Sequence, residues 1–152
     1  MKISEKGIEF IIKEEGEVLT AYLCPAKVWT IGVGHTGKDV KKGMKITKEQ
    51  SREFLKSDIK RFEDVVNKSI RVSLKQREFD ALVSFAFNVG EGAFSKSALV
   101  NKINSSAPIE EIEAQFRRWI YGGGKILPVL QGRREREIKL YKGGDVKWIK
   151  KQ

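Results

Sequence analysis

The sequence predicts an α+β fold in which a small β-containing segment lies between a short N-terminal helix and a long linking helix, followed by a helical remainder. Three observations carry this prediction. Apolar residues recur at helical spacing near the N-terminus and again after residue 50, β-rich runs broken by glycines fill the interval between, and the stretch 79–87 is almost wholly apolar.

The elements follow in order. Ser4 has the side chain of an N-cap, Ile3 and Ile8 stand at the positions of a hydrophobic staple, and Ile8, Ile11 and Ile12 share a face, predicting a helix over 5–14 that ends near Gly16. Residues 21–23 and 28–31 are β-rich and flank Cys24, Pro25, Ala26 and Lys27, after which Gly32, Gly34 and Gly37 interrupt the chain, as in a small hairpin-containing sheet. Gly43 closes that segment. Thr47 with Gln50 is a capping box opening a long helix with Phe54, Leu55, Ile59, Phe62, Val65 and Val66 on one face. Ser73 with Gln76 repeats the signature ahead of Phe79, Leu82, Val83, Phe85, Ala86 and Phe87, too apolar a set for a surface helix. Further helices are predicted over 97–103, 109–120 and 132–141, separated by 105–108 and by the glycines at 122–124. The expected organisation is one bilobed domain. Its β-containing lobe covers about 15–46, a linker helix about 48–68, and a helical lobe about 70–152 with the N-terminal helix, leaving a cleft suited to an extended polymer.

Composition narrows the function. A chain of 152 residues can bury a self-sufficient core. No apolar run approaches the length of a membrane span, and the charges at Glu5, Lys6, Glu9, Lys13, Glu14 and Glu15 interrupt anything resembling a secretory signal. The single cysteine, Cys24, cannot form an internal disulfide, which suits synthesis in a reducing cytoplasm. Thirty Lys plus Arg against twenty Asp plus Glu leave a net charge of +10, which attracts polyanions such as nucleic acid, anionic membranes or wall polymers. Clusters such as Arg133 with Arg134 or Lys150 with Lys151 are short, and this spread disfavours a dedicated nucleic-acid stripe. There is no His/Cys cluster or HExxH run for a metal, and Gly32 with Gly34 lacks the third glycine and strand–helix setting of a phosphate loop.

Hydrolysis of a glycosidic bond needs an acid to protonate the leaving oxygen and a second group that guides water or attacks the sugar. Glu15, Cys24 and Thr30 are candidates: eight residues and then five separate them, which carries the chain from a helix end through a hairpin and back. At the C-terminal end of the first helix, the negative pole of the dipole opposes a bare carboxylate at Glu15. Arg133, Arg134 or Arg136 could supply a compensating cation. Taken singly, Glu15 would be solvated surface, Cys24 a small buried hydrophobe and Thr30 an ordinary strand residue.

EEGEVLTAYLCPAKVWTIGVGHTG, residues 14–37, resembles the signature of the phage-type lysozymes, glycoside hydrolase family 24, the endolysins of tailed phages. The family pattern is a Glu, eight residues, an Asp or Cys, five residues and a Thr, followed by a TIGxGHT run, here TIGVGHT over 30–36. The similarity extends to Gln76, the run 81–90, Ala93 and Phe94, and less distinctively to Trp119, Gly132, Arg133, Arg134 and Glu137. The resemblance implies a lysozyme-like fold, cleavage of the β-1,4 bond between N-acetylmuramic acid and N-acetylglucosamine in peptidoglycan, and Glu15, Cys24 and Thr30 as the catalytic residues. It implies no cofactor and no metal.

Many members place a carboxylate where this chain has Cys24. The family's inverting outcome would have Cys24 and Thr30 hold a water opposite Glu15, with acid and base about 6.5–9.5 Å apart. A covalent thioglycoside at Cys24 is the alternative. His35, the only histidine, reads as a structural hydrogen-bonding partner, while Trp29, Trp119 and Tyr121 could stack on sugars or serve as packing. The expected partner is peptidoglycan. Neither nucleic acid nor stable membrane insertion is expected, and the chain should be a monomer made in the host bacterial cytoplasm, reaching the wall through a separately encoded holin-type membrane lesion. The rival readings are a lytic transglycosylase and a non-catalytic basic polyanion-binding module.

Overall fold

Helix α1, Glu5–Glu15, begins at Ser4, whose Oγ accepts the Gly7 N–H at 3.1 Å in the manner of an N-cap. Ser4 also donates from its backbone N–H, at 3.0 Å, and from its hydroxyl to the buried carboxylate of Asp80. A side chain at Gly7 would meet Asp80 Cγ at 2.7 Å, so this approach requires glycine. These relationships come from a computed structural model that describes residues 1–148; Lys150 and Lys151 lie outside the described residues.

Strands β1 (Val18–Leu23), β2 (Trp29–Gly32) and β3 (His35–Thr36) form an antiparallel sheet in that order. Thr30 is opposite Tyr22 on one side and Thr36 on the other, so β2 is the central strand. The helix α2, Lys48–Ser69, opens on the predicted capping box: Thr47 N–H donates to Gln50 Oε1 at 2.9 Å and Gln50 N–H to Thr47 Oγ1 at 3.1 Å. Leu55, Ile59, Phe62 and Val66 on its predicted apolar face are buried.

The remainder is helical, with one exception. α3 (Gln76–Val89), α4 (Glu91–Ser95), α5 (Ala98–Asn104) and α6 (Ile109–Arg117) precede a two-stranded sheet, β4 (Tyr121–Gly122) with β5 (Lys125–Ile126), and then α7 (Pro128–Lys142). The expectations differ here in four places. The start of α3 is capped by Glu78, whose carboxylate accepts the Lys75 N–H at 2.7 Å, rather than by a box of Ser73 and Gln76. The helix predicted over 109–120 ends at Arg117. The glycines at 122–124 turn a hairpin, with Gly123 and Gly124 both at positive φ, instead of merely separating helices. The helix predicted from Gly132 starts at Pro128, because proline at the first helical position supplies a preset φ and lacks an N–H that would have no intrahelical partner.

The chain divides into two compact units, Ile8–Lys60 and the pair of segments Met1–Gly7 with Arg61–Gln152, so α1 and α2 each contribute to both. In the smaller unit Ile31, Val40 and Ile46 form the core, with Leu19, Ala21, Trp29, Met44 and Phe54 packed against it. The larger unit is centred on α3. There the Phe85 ring meets Phe94, Phe116 and Trp119 edge-on at centroid distances of 6.2, 5.3 and 5.7 Å.

Candidate active site

Glu15, Cys24 and Thr30 all fall within Ile8–Lys60. Glu15 is the last residue of α1 and is exposed. The chain leaves the helix through Gly16 at φ 80°, whose N–H closes on the Ile12 carbonyl at 2.8 Å; a residue with a Cβ would be strained in that conformation. Three residues beyond Glu15, Val18 starts β1 opposite Gly32, which lies two residues beyond Thr30. The sheet register therefore ties the exit of α1 to the strand that carries the threonine.

Cys24 occupies the loop between β1 and β2. The loop closes by two backbone bonds, Cys24 N–H to Val28 O at 3.1 Å and Lys27 N–H to Cys24 O at 2.8 Å, with Lys27 at φ 62° completing the turn. This wraps the backbone N–H groups of Val28 and Ala26 toward the sulfur. The half-buried thiol is accordingly held below its ordinary value, first by the Val28 N–H, with partial burial opposing and the Ala26 N–H and Thr30 hydroxyl adding to the effect. Thr30 is buried, and its Oγ1 donates to Val28 O at 3.0 Å.

The structure thus places Cys24 and Thr30 on one hairpin, Cys24 bonded to Val28 and Thr30 opposite Tyr22, and sets Glu15 at the helix end feeding the same sheet. Gly32, at φ 66°, leaves room that a Cβ would take 3.0 Å from Ser51 Oγ, the hydroxyl that donates to Glu17 Oε2 at 2.8 Å. Sequence reasoning gave no role to the N–H groups of Ala26 and Val28; the only signal was the short CPAKV loop with a residue able to turn it.

His35 is a structural hydrogen-bonding partner, as expected, but its two carboxylates were not anticipated. Asp58 Oδ2 lies 2.7 Å from Nδ1 and Asp39 Oδ2 3.1 Å from Nε2, and the ring stacks on Phe54 at 4.3 Å and 1°. Burial pushes the imidazole pKa down, but the bonds to Asp58 and Asp39 outweigh this and leave it raised.

In the larger unit Glu137, fully buried, lies 2.9 Å from Arg134 Nε and 3.2 Å from Arg133 Nε and accepts the Ser84 hydroxyl at 2.7 Å. Trp119 is engaged with Phe85, and Trp29 packs on the small core. Tyr121 is exposed beside an open depression lined also by Asn88, Val89, Arg118, Trp119 and Leu130. Among the described residues no group of three or more His, Cys, Asp or Glu side chains could hold a metal, and no helix is long and apolar enough to cross a membrane.

The profile of the family described as "Phage lysozyme" matches residues 12–137, which include all three candidate residues. An endolysin of Bacillus phage PZA is 43% identical over 149 residues, 97% of this chain; this chain spans 57% of that relative's length. An endolysin of Salmonella phage P22 is 41% identical over 145 residues, covering 93% of this chain and 98% of that one. Among solved structures, a crystal structure of a P22 lysozyme mutant superposes with a TM-score of 0.88 at 40% identity, over 94% of this chain and 99% of the other. With a lysozyme-like α+β fold and sequence similarity along almost its whole length, the chain belongs to the phage lysozyme family.

Proposed function

We propose that the protein is a peptidoglycan muramidase that acts as a phage endolysin, hydrolysing the β-1,4 bond between N-acetylmuramic acid and N-acetylglucosamine. The observation that carries this reading is the hairpin that follows Glu15, in which Cys24 bonds across the loop to Val28 and the buried Thr30 sits opposite Tyr22. It falls within the segment that matches the family. In the reaction, Glu15 gives its proton to the glycosidic oxygen as the bond to the anomeric carbon breaks. A water held by Thr30 and the ionised Cys24 attacks that carbon from the opposite face and passes its proton to the thiolate, which becomes the thiol, inverting the configuration. No cofactor is called for.

The enzyme is made in the host cytoplasm as a monomer and reaches the wall when a separately encoded protein opens the membrane. The decisive experiment is clearing of a purified wall suspension with analysis of the fragments. Reducing muramic acid ends support hydrolysis, whereas anhydro ends would reveal a lytic transglycosylase. Glu15→Gln is expected to fold normally and to lose about 10²–10⁴ in rate, the usual worth of a general acid. Substantial clearing by that variant would refute the assignment, and failure of the parent to cleave walls would leave a binding module.

A further inference from the structure

Residues 37–48, from the end of β3 to the first residue of α2, carry Lys38, Lys41, Lys42, Lys45 and Lys48, all exposed, against one carboxylate, Asp39. That is a net charge of +4 on twelve residues. Asp39 is already engaged by His35 Nε2 at 3.1 Å. Among the described residues none of the five lysines is ion-paired, although cations elsewhere are: Arg52 with Glu9, Arg61 with Glu91, Lys102 with Glu111 and Arg117 with Glu135. Part of the basic excess, read from the sequence as spread out in short clusters, is thus gathered on this segment.

The segment is also built to hold its shape. Val40 N–H closes on Gly37 O and Met44 N–H on Lys41 O, both at 3.1 Å, making two successive turns. Ala21 N–H then bonds Met44 O and Ile46 N–H bonds Leu19 O, both at 2.9 Å, with Thr20 bridged to Lys45, so the segment is strapped along β1. Its apolar residues point inward: Val40 and Ile46 belong to the core and Met44 packs against it. Like charges held together on a fixed backbone raise the local potential.

The chemistry of the face narrows its partner. Lysine ammonium groups are point charges suited to phosphates without regard to sequence. No aromatic side chain in the segment could stack on bases, which disfavours single-stranded nucleic acid, and no exposed apolar side chain could enter a bilayer. Thr20 lies four residues before Cys24, on the order of 13 Å along an extended strand. We infer that the face formed by Lys38, Lys41, Lys42, Lys45 and Lys48 docks a phosphodiester-linked anionic polymer of the bacterial wall and holds the enzyme against its substrate. The inference rests on the peptidoglycan reading above.

The test compares the parent with the combined variant Lys38→Gln, Lys41→Gln, Lys42→Gln, Lys45→Gln. Cosedimentation is measured over a salt series on walls that retain their phosphodiester polymer and on walls stripped of it with hydrofluoric acid. The parent is expected to bind polymer-bearing walls with an affinity that falls steeply with salt. The Gln variant is expected to bind them at least tenfold more weakly with a shallower salt slope, and to bind and clear stripped walls as the parent does. The matching Lys→Arg variant, which keeps the charge, is expected to bind like the parent.

Equal binding of the Gln variant to polymer-bearing walls would overturn the inference, as would an equal loss on stripped walls. So would a parental preference, at equal phosphate, for duplex DNA or phosphatidylglycerol–phosphatidylcholine vesicles over the polymer. A parent that binds in the expected pattern but clears neither wall would overturn the muramidase reading and leave the docking face standing.

Discussion

His35 Nδ1 and Asp58 Oδ2 stand 2.7 Å apart, joining β3 to α2 through a side-chain bond inside the smaller unit. The imidazole is largely buried and faces a second carboxylate, Asp39, through Nε2, so the doubly protonated ring donates to an anion from each nitrogen.

This arrangement predicts a particular pH dependence of stability. Despite its burial, His35 binds its proton more tightly folded than unfolded because of Asp58 and Asp39. Its contribution is therefore complete below the unfolded value of 6.5 and is lost as pH rises through the higher folded one. Asp39 is held below its ordinary 3.8 chiefly by the bond to His35, so its part is present above that value and is lost as pH falls through the lower folded one. His35→Gln should thus lower the melting temperature most between roughly pH 4.5 and 6.5, by the equivalent of about 1–2 kcal/mol, with the difference shrinking toward pH 9. Thermal melts across pH decide this. A difference that grows with rising pH would show that the carboxylates do not hold the proton.

Glu137 predicts a larger and less pH-selective loss. It is enclosed with Arg133 and Arg134, and removing the charge of one member leaves the others buried without their counter-ion. Glu137→Gln is expected to destabilise the protein by about 3–5 kcal/mol, measured by denaturant titration. Ser84→Ala removes only the hydroxyl that donates to Glu137 and should cost roughly 1–3 kcal/mol. Equal melting of Glu137→Gln and parent would mean that the cluster contributes nothing net.

Much of this was legible in the residues, for reasons that can be named. Thr47 and Gln50 announce α2 because a capping box is local chemistry: two side chains satisfy two nearby N–H groups wherever the chain goes next. The placing of Cys24 and Thr30 on one hairpin follows similarly from the turn residues between them, and Glu15, Cys24 and Thr30 stand out by their spacing, their catalytic roles being those proposed above. The pairing of Asp58 with His35, 23 residues apart, and of Ser84 with Glu137, 53 apart, is long-range, and no local pattern marks which carboxylate meets which partner. The Ser73–Gln76 box failed because Lys75 and Glu78 offered a competing start two residues later, in which the Glu78 carboxylate reaches back to the N–H. The β4–β5 hairpin was missed because two-residue strands carry no periodicity.

The thiol gives a titration that can be read without any substrate. With the Val28 and Ala26 N–H groups and the Thr30 hydroxyl turned toward it, Cys24 should ionise below the ordinary 9.0. The pH midpoint of its alkylation by iodoacetamide is expected below that of a free cysteine peptide. Thr30→Val removes the hydroxyl and should move the midpoint upward, while the backbone donors keep it below the peptide value. No movement in Thr30→Val would assign the whole effect to the loop backbone.

The final prediction concerns what the sulfur does in the reaction, because a base and a nucleophile respond differently to the same substitutions. If Cys24 takes a proton from water, Asp in its place offers an oxygen base of comparable reach, so Cys24→Asp should retain activity and give the same inverted anomer. Cys24→Ala removes the base and should lower the rate about 10²–10⁴-fold, with the inverted product still formed in whatever activity is left. If the sulfur instead attacks the anomeric carbon, a thioglycoside forms and water later displaces it, so the parent retains configuration and the enzyme carries a glycan-sized mass in quenched reactions. The anomer released first, followed by NMR from the parent and the Asp variant, separates the two courses, and an Ala variant as fast as the parent would remove the thiol from both.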